Sequence, residues 1–212
     1  MSSSIPPEIK TPPTTVSGTK PLCLIVGLSG VTNGGKTTLS NKLAAHYPPG
    51  VVEILLLDDY FWTDTNKLDY LQEVKHWDFD KMGALNFDGF YRDVLAKIDK
   101  LTTSPNSSPP HILILDGFLL FNEPRLLAVC HLRYDFSLPY EVAKHRRETR
   151  FYDPPDVPGY FEAVAWPAYL KHSRDIEALK RQEGIVTIDG TEEGEKIFCR
   201  VLNDVECALS GR

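Results

Sequence analysis

Five short apolar runs punctuate the chain, at 22 to 28 (LCLIVGL), 52 to 57 (VEILLL), 112 to 116 (ILILD), 133 to 138 and 184 to 189 (GIVTID). Their near-continuous apolar content suits strands covered on both faces. Longer stretches with apolar residues every three or four positions lie between and after them, and predict helices over 36 to 46, 87 to 100, 140 to 149, 166 to 182 and 193 to 209. Strands alternating with helices imply an α/β fold, a parallel sheet joined by crossover helices. No repeat of 20 to 50 residues interrupts this order, so solenoids and propellers are excluded.

Composition narrows the picture. At 212 residues and 42% hydrophobic, the chain is expected to form one domain around one substantial core. Residues 1 to 20 (MSSSIPPEIKTPPTTVSGTK) carry too little apolar surface to offset the entropy of ordering and are expected to be a disordered leader. The single domain then runs over 21 to 212, with a polar surface loop, TTSPNSSPP, at 102 to 110. No apolar run approaches the roughly 20 residues that span a bilayer, and the N-terminus lacks a secretory layout, so no membrane partner and a cytoplasmic location are expected. The sequon Asn106-Ser107-Ser108 therefore reads as chance. With 29 acidic against 23 basic residues, a net charge of -6 gives no reason to expect nucleic acid, and small molecules become the expected ligands. Cys23, Cys130, Cys199 and Cys207 have neither zinc-ligand spacing nor a disulfide framework.

The first strand runs into Gly30-Val31-Thr32-Asn33-Gly34-Gly35-Lys36-Thr37, which fits G-x-x-x-x-G-K-[ST] before a helix. Glycines let backbone N–H groups converge on phosphate, a lysine bridges two phosphates, and the hydroxyl ligates Mg²⁺. Thr32, Asn33, Thr38 and the loop glycines complete the expected nucleotide cradle. Such a loop serves kinases, GTPases and ATPases alike. NKLD at 66 to 69 and DKMG at 80 to 83 mimic GTPase motifs, but in the wrong order and context, and read as chance.

Carboxylates close two strands: Asp58 and Asp59 after VEILLL, and Asp116 after ILIL. In an open parallel sheet these C-terminal strand ends form the ligand crevice beside the phosphate loop. Asp58 and Asp116 are expected to orient an acceptor hydroxyl and hold Mg²⁺, with Lys36 as the third catalytic group, whereas Asp59 reads equally as a cap. In KHRRETRFYDPPDVPGYF, Arg146 and Arg150 share one helix face and Arg147 lies about 100° around it. One helix can thereby face two ligands, and a short lid near 145 to 160 is the functional alternative to a solvated basic helix. Trp77-Asp78 suits a flat ring and a ribose, although a lone tryptophan is more often core.

Taken together, GLSGVTNGGKTTL, DDYF, WD, DGFLLFN, LPYEVAKHRRETRFYDPPDVPGYF and WPAYL resemble the nicotinamide riboside kinase family over residues 22 to 205. The resemblance implies a P-loop kinase core, a three-layer sandwich on a five-stranded parallel sheet, similar to uridine kinase. It implies that ATP and Mg²⁺ phosphorylate the 5'-hydroxyl of nicotinamide riboside, and of nicotinic acid riboside, for NAD synthesis. By motif, Lys36 and Thr37 would meet ATP and Mg²⁺, Arg146 and Arg150 would attend ATP, and Asp58 would stand beside the 5'-hydroxyl. Asp78 and Arg147 would bind the ribose diol and Trp77 and Tyr152 would sandwich the pyridine, with Tyr60 and Phe61 of DDYF beside the substrate. Asp116 stands where vertebrate-like members carry Glu, and Gly34 where serine is frequent. The alternatives are a uridine- or cytidine-type nucleoside kinase and a nucleotide-binding switch without turnover.

Overall fold

The computed structural model describes residues 21–103, 110–152 and 155–211. The leader at 1–20, the sequon and most of the polar patch at 102–110 lie outside the described residues.

The chain lays down β1 (Cys23–Gly30), α1 (Lys36–His46), β2 (Val52–Leu56), a hairpin of β3 (Tyr70–Leu71) and β4 (His76–Trp77), α2 (Phe87–Thr103) and β5 (His111–Asp116). It continues through α3 (Pro124–Val129), β6 (Leu132–Ser137), α4 (Tyr140–Thr149), α5 (Trp166–Lys180), β7 (Val186–Asp189) and α6 (Gly194–Ser210). The five longer strands form one sheet in the order β2-β5-β1-β6-β7, all neighbours parallel. Each predicted strand and helix is present, with ends shifted by three residues or fewer. The chain enters α5 through one wide turn at Phe161–Ala165, so this helical segment begins earlier than its pattern suggests.

The apolar runs are continuous because both faces of the sheet are covered. Leu24, Val26 and Leu28 of β1, with Ile112 and Ile114 of β5, pack on Leu39 and Leu43 of α1 and on Val201 and Val205 of α6. Cys23, Ile25, Leu113 and Leu115 face the opposite layer, against Phe90 and Val94 of α2, Leu126 of α3 and Ile176 of α5. Gly27 is a point of close approach in that layer: a Cβ there would stand 2.6 Å from Cys130 Sγ and 2.7 Å from Phe121 Cε1. A third, smaller cluster joins Val31 to Ala143 of α4 and to Tyr160 and Phe161. Among the described residues, no helix is long and apolar enough to cross a membrane.

The central strand β1 pairs Leu28 with Asp116, and β2 pairs Leu56 with the same residue. Both acidic strand ends therefore finish level with the loop that leaves β1.

Candidate functional site

The loop between β1 and α1 is built by backbone conformations that few residues tolerate. Gly30 has φ 102, and a Cβ there would stand 2.1 Å from the Phe136 carbonyl oxygen, so only glycine fits. Asn33 has φ 58, a left-handed conformation in which Asn is among the better-tolerated side chains. Gly35, also at positive φ, caps α1, whose N-terminal N–H groups point outward from the loop as an anion site.

Lys36 is buried, and its Nζ donates to the carbonyl oxygens of Gly30 (3.0 Å) and Val31 (2.7 Å). Burial pulls its pKa below the ordinary lysine value, while Asp116, Asp58 and Asp135 pull it back up. Thr37 Oγ1 donates to Asp116 Oδ2 at 2.8 Å, and Ser40 Oγ to the same oxygen at 3.2 Å. Asp58 follows β2 in a single 3₁₀ turn, Leu57–Tyr60. Burial raises its carboxyl pKa, Lys36 lowers it and Asp116 raises it further.

These residues border two cavities. One, of about 440 Å³, lies over the loop and is lined by residues 32 to 38 together with Asp58, Asp116, Arg146 and Arg150. The other, of about 770 Å³, is walled by Phe61, Trp62, Trp77, Tyr152 and Tyr160, with Asp80, Arg147 and Asp156 among its polar groups. Thr32, Asp58, Phe118 and Arg150 line both, so Asp58 stands at their junction. The hairpin carries Trp77 to the wall of the larger cavity, where its ring meets Tyr70 edge-on at 4.9 Å.

Arg146 and Arg147 of α4 divide between the two cavities, and Arg150, just past the end of that helix, lines both. Arg146 donates to Asn33 O (3.1 Å) and Gly190 O (3.0 Å), and Arg150 donates to Asn33 Oδ1 (3.0 Å). Arg147 faces the other cavity, where its Nε and NH2 pair with the two oxygens of Asp156 and NH2 lies 3.7 Å from Asp80. Burial opposes its charge, but the Asp156 bond and the Asp80 charge prevail and hold its pKa above the usual arginine value.

Two expected substrate residues are outside both linings, Tyr60 and Asp78, the latter between the wall residues Trp77 and Phe79. Tyr60 turns away from both cavities: its ring packs edge-on against Phe90 and its hydroxyl donates to Asp93 Oδ2 at 2.8 Å, leaving Phe61 as the DDYF aromatic on the cavity wall. Asp78 is not part of either lining, and its Oδ1 accepts from the Asp80 amide at 3.1 Å. The carboxylates on the wall are Asp58, Asp80 and Asp156; Asp80 is 8% exposed, and burial pushes its pKa above the ordinary carboxylate value while the Arg147 charge lowers it. Sequence reasoning passed over Asp80, Asp156 and Phe118; DGFLLFN carries a signal only for the last. The GTPase-like motifs meet each other, with Asp69 of one ion-paired with Lys81 of the other and Lys67 over the Trp62 ring, while Leu68 and Asp80 from them line the larger cavity.

No family model matches the chain. It is 36% identical over 191 residues to nicotinamide riboside kinase 1 of Mus musculus, covering 87% of this chain and 95% of the relative. Nicotinamide riboside kinase 2 of Homo sapiens is 35% identical over 198 residues, with 89% and 84% covered. A uridine kinase of Leuconostoc citreum is 25% identical, with 82% and 90% covered. Among solved structures, thymidylate kinase from Candida albicans superposes with a TM-score of 0.56 at 14% identity, covering 89% of this chain and 93% of that one. Shikimate kinase from Acinetobacter baumannii gives 0.52 at 17% identity, covering 87% and 93%. At those identities the likeness concerns the fold, a P-loop kinase sandwich.

Proposed function

The chain belongs to the nicotinamide riboside kinase family, and from that membership we propose that it transfers the terminal phosphoryl group of ATP to the 5'-hydroxyl of nicotinamide riboside, giving the mononucleotide for NAD salvage. Nicotinic acid riboside is the second expected acceptor. The observation that carries the reading is Asp58 at the junction of a phosphate-loop cavity and an aromatic one. Donor and acceptor atoms must meet at one point, and that is where a group able to orient the attacking hydroxyl has to stand.

In this reading ATP lies over the loop, with its β- and γ-phosphates on the backbone N–H groups from Gly30 to Thr38. Lys36 exchanges its two carbonyl partners for phosphate oxygens, and Arg146 and Arg150 neutralise the charge that spreads over the γ-phosphoryl group. The transfer passes through a loose transition state, so the hydroxyl need not lose its proton early, and Asp58 acts mainly by accepting its hydrogen bond. The riboside fills the aromatic cavity with its ring between Trp77 and Tyr152, near Phe61, and its diol toward Arg147 and Asp78. For Asp78 this means exchanging the Asp80 amide for a ribose hydroxyl. The short lid expected near 145 to 160 would shut out water, its arginine-bearing end already resting on the loop through Asn33.

The oxygen donors Thr37 Oγ1 and Asp116 Oδ2, with the Asp58 carboxylate in the same cavity, suit a hard cation. Mg²⁺ is commonly held by one or two carboxylates plus substrate phosphates, and Thr37, Asp116 and Asp58 would be the groups of this chain that hold it. When bound there, Mg²⁺ would neutralise the charge that develops on the transferring phosphoryl group.

The 25% identity to a uridine kinase favours a pyrimidine nucleoside as the second reading. Trp77→Ala separates the two by initial-rate kinetics. With a pyridinium ring against Trp77, the KM for nicotinamide riboside rises about tenfold while that for ATP stays within about twofold. Equal rises in both contradict the ring wall.

A further inference from the structure

We propose that the side chains of Asn33 and Tyr152 couple the two cavities, so that nucleotide and riboside tighten each other's binding. The inference rests on the reading that the riboside ring occupies the aromatic cavity, and it adds positioning roles that neither residue has in that reading.

Asn33 lines the loop cavity and Tyr152 the aromatic one, 119 residues apart in sequence. Arg150 NH1 lies 3.0 Å from one terminal atom of the Asn33 amide, and because a guanidinium only donates, that atom is the oxygen. The Tyr152 hydroxyl lies against both terminal atoms of the amide: Nδ2 donates to it at 2.9 Å, and it donates to Oδ1 at 3.1 Å. Thr32 Oγ1 stands 3.3 Å from the same hydroxyl. The backbone carbonyl of Asn33 accepts from Arg146, so one loop residue is held by three side chains of the 146 to 152 segment. Its left-handed φ of 58 fixes where the amide can point.

Tyr152 belongs to both sides. Its hydroxyl sits on the loop, while its ring, with Arg147 Cζ 4.8 Å and Arg150 Cζ 5.2 Å from the centroid, forms part of the aromatic wall. Phosphate in the loop orders Asn33 and draws on Arg146 and Arg150, and that ordering reaches the Tyr152 ring through its hydroxyl. A riboside stacking on a ring already held in place loses less conformational freedom on binding. By linkage the riboside must strengthen nucleotide binding by the same factor.

The test is calorimetric titration of nicotinamide riboside into full-length protein, with and without a non-hydrolysable ATP analogue and Mg²⁺. It is made for wild type, Tyr152→Phe, Asn33→Gly, which accepts the positive φ, and the double variant. Expected is an analogue-induced tightening of about fivefold or more in wild type, falling to within about twofold of unity in each single variant and no further in the double. An unchanged ratio in Tyr152→Phe, or no tightening in wild type, overturns the coupling. Absence of riboside binding in any state overturns the acceptor assignment beneath it. A purely structural role would weaken both ligands and leave the ratio intact, and that result too overturns the proposal.

Discussion

Replacing Lys36 with methionine is expected to lower kcat/KM for ATP by about 10²- to 10³-fold, the cost of removing a preorganised charge from a transferring phosphoryl group. Lys36 is buried, and three carboxylates, Asp116, Asp58 and Asp135, act on its charge against the desolvation that lowers its pKa. Its ammonium donates to two carbonyls of the loop, Gly30 O and Val31 O, and is thus aimed where phosphate oxygens would lie. Methionine keeps the length and apolar stem but supplies no donor. Direct titration of nicotinamide riboside without nucleotide should move by no more than about threefold, since Lys36 is not part of the aromatic cavity lining. Activity within tenfold of wild type would mean the loop binds no reacting phosphate.

Asp58→Asn is expected to lower kcat by about 10²- to 10⁴-fold, in the range of removing a group that hydrogen-bonds the proton of a reacting hydroxyl. The substitution is nearly isosteric, so packing in the 3₁₀ turn is kept while the negative acceptor is lost. Pre-steady-state turnover and ATP affinity together separate the roles. An interaction made mainly in the transition state lowers kcat and kcat/KM for riboside alike. A loss expressed as weaker MgATP binding alone would instead assign Asp58 to the metal.

β1 and β5 were legible because burial on both faces removes polar positions from them, and half-buried β2, at the sheet edge, still reads as a short apolar run. The hairpin at Tyr70–Leu71 and His76–Trp77 was not, since two-residue strands are too short to show a period. Six-residue α3 escaped for the same reason. At the site, the phosphate loop and the strand-end acids are local patterns and could be read directly. The separation of Arg146 from Arg147 follows from helical geometry; Arg150, past the end of α4, shares Asn33 with Arg146 but lines both cavities. Asp80 could not be read in this way. Its burial is made by Arg147 and Tyr160, far along the chain, and its sequence neighbourhood resembles an exposed turn. Tyr60 shows the reverse error. The acids before it mark a site, yet the turn points it at Phe90 and Asp93 and gives the cavity wall to Phe61.

The central claim is that a pyridine riboside is the acceptor, and steady-state ADP release from MgATP tests it most directly, with nicotinamide riboside, nicotinic acid riboside, uridine and cytidine compared side by side. The account predicts kcat/KM for the pyridine ribosides at least tenfold above that for the pyrimidines, about 1.4 kcal/mol of transition-state preference. Uridine or cytidine leading by tenfold would contradict it.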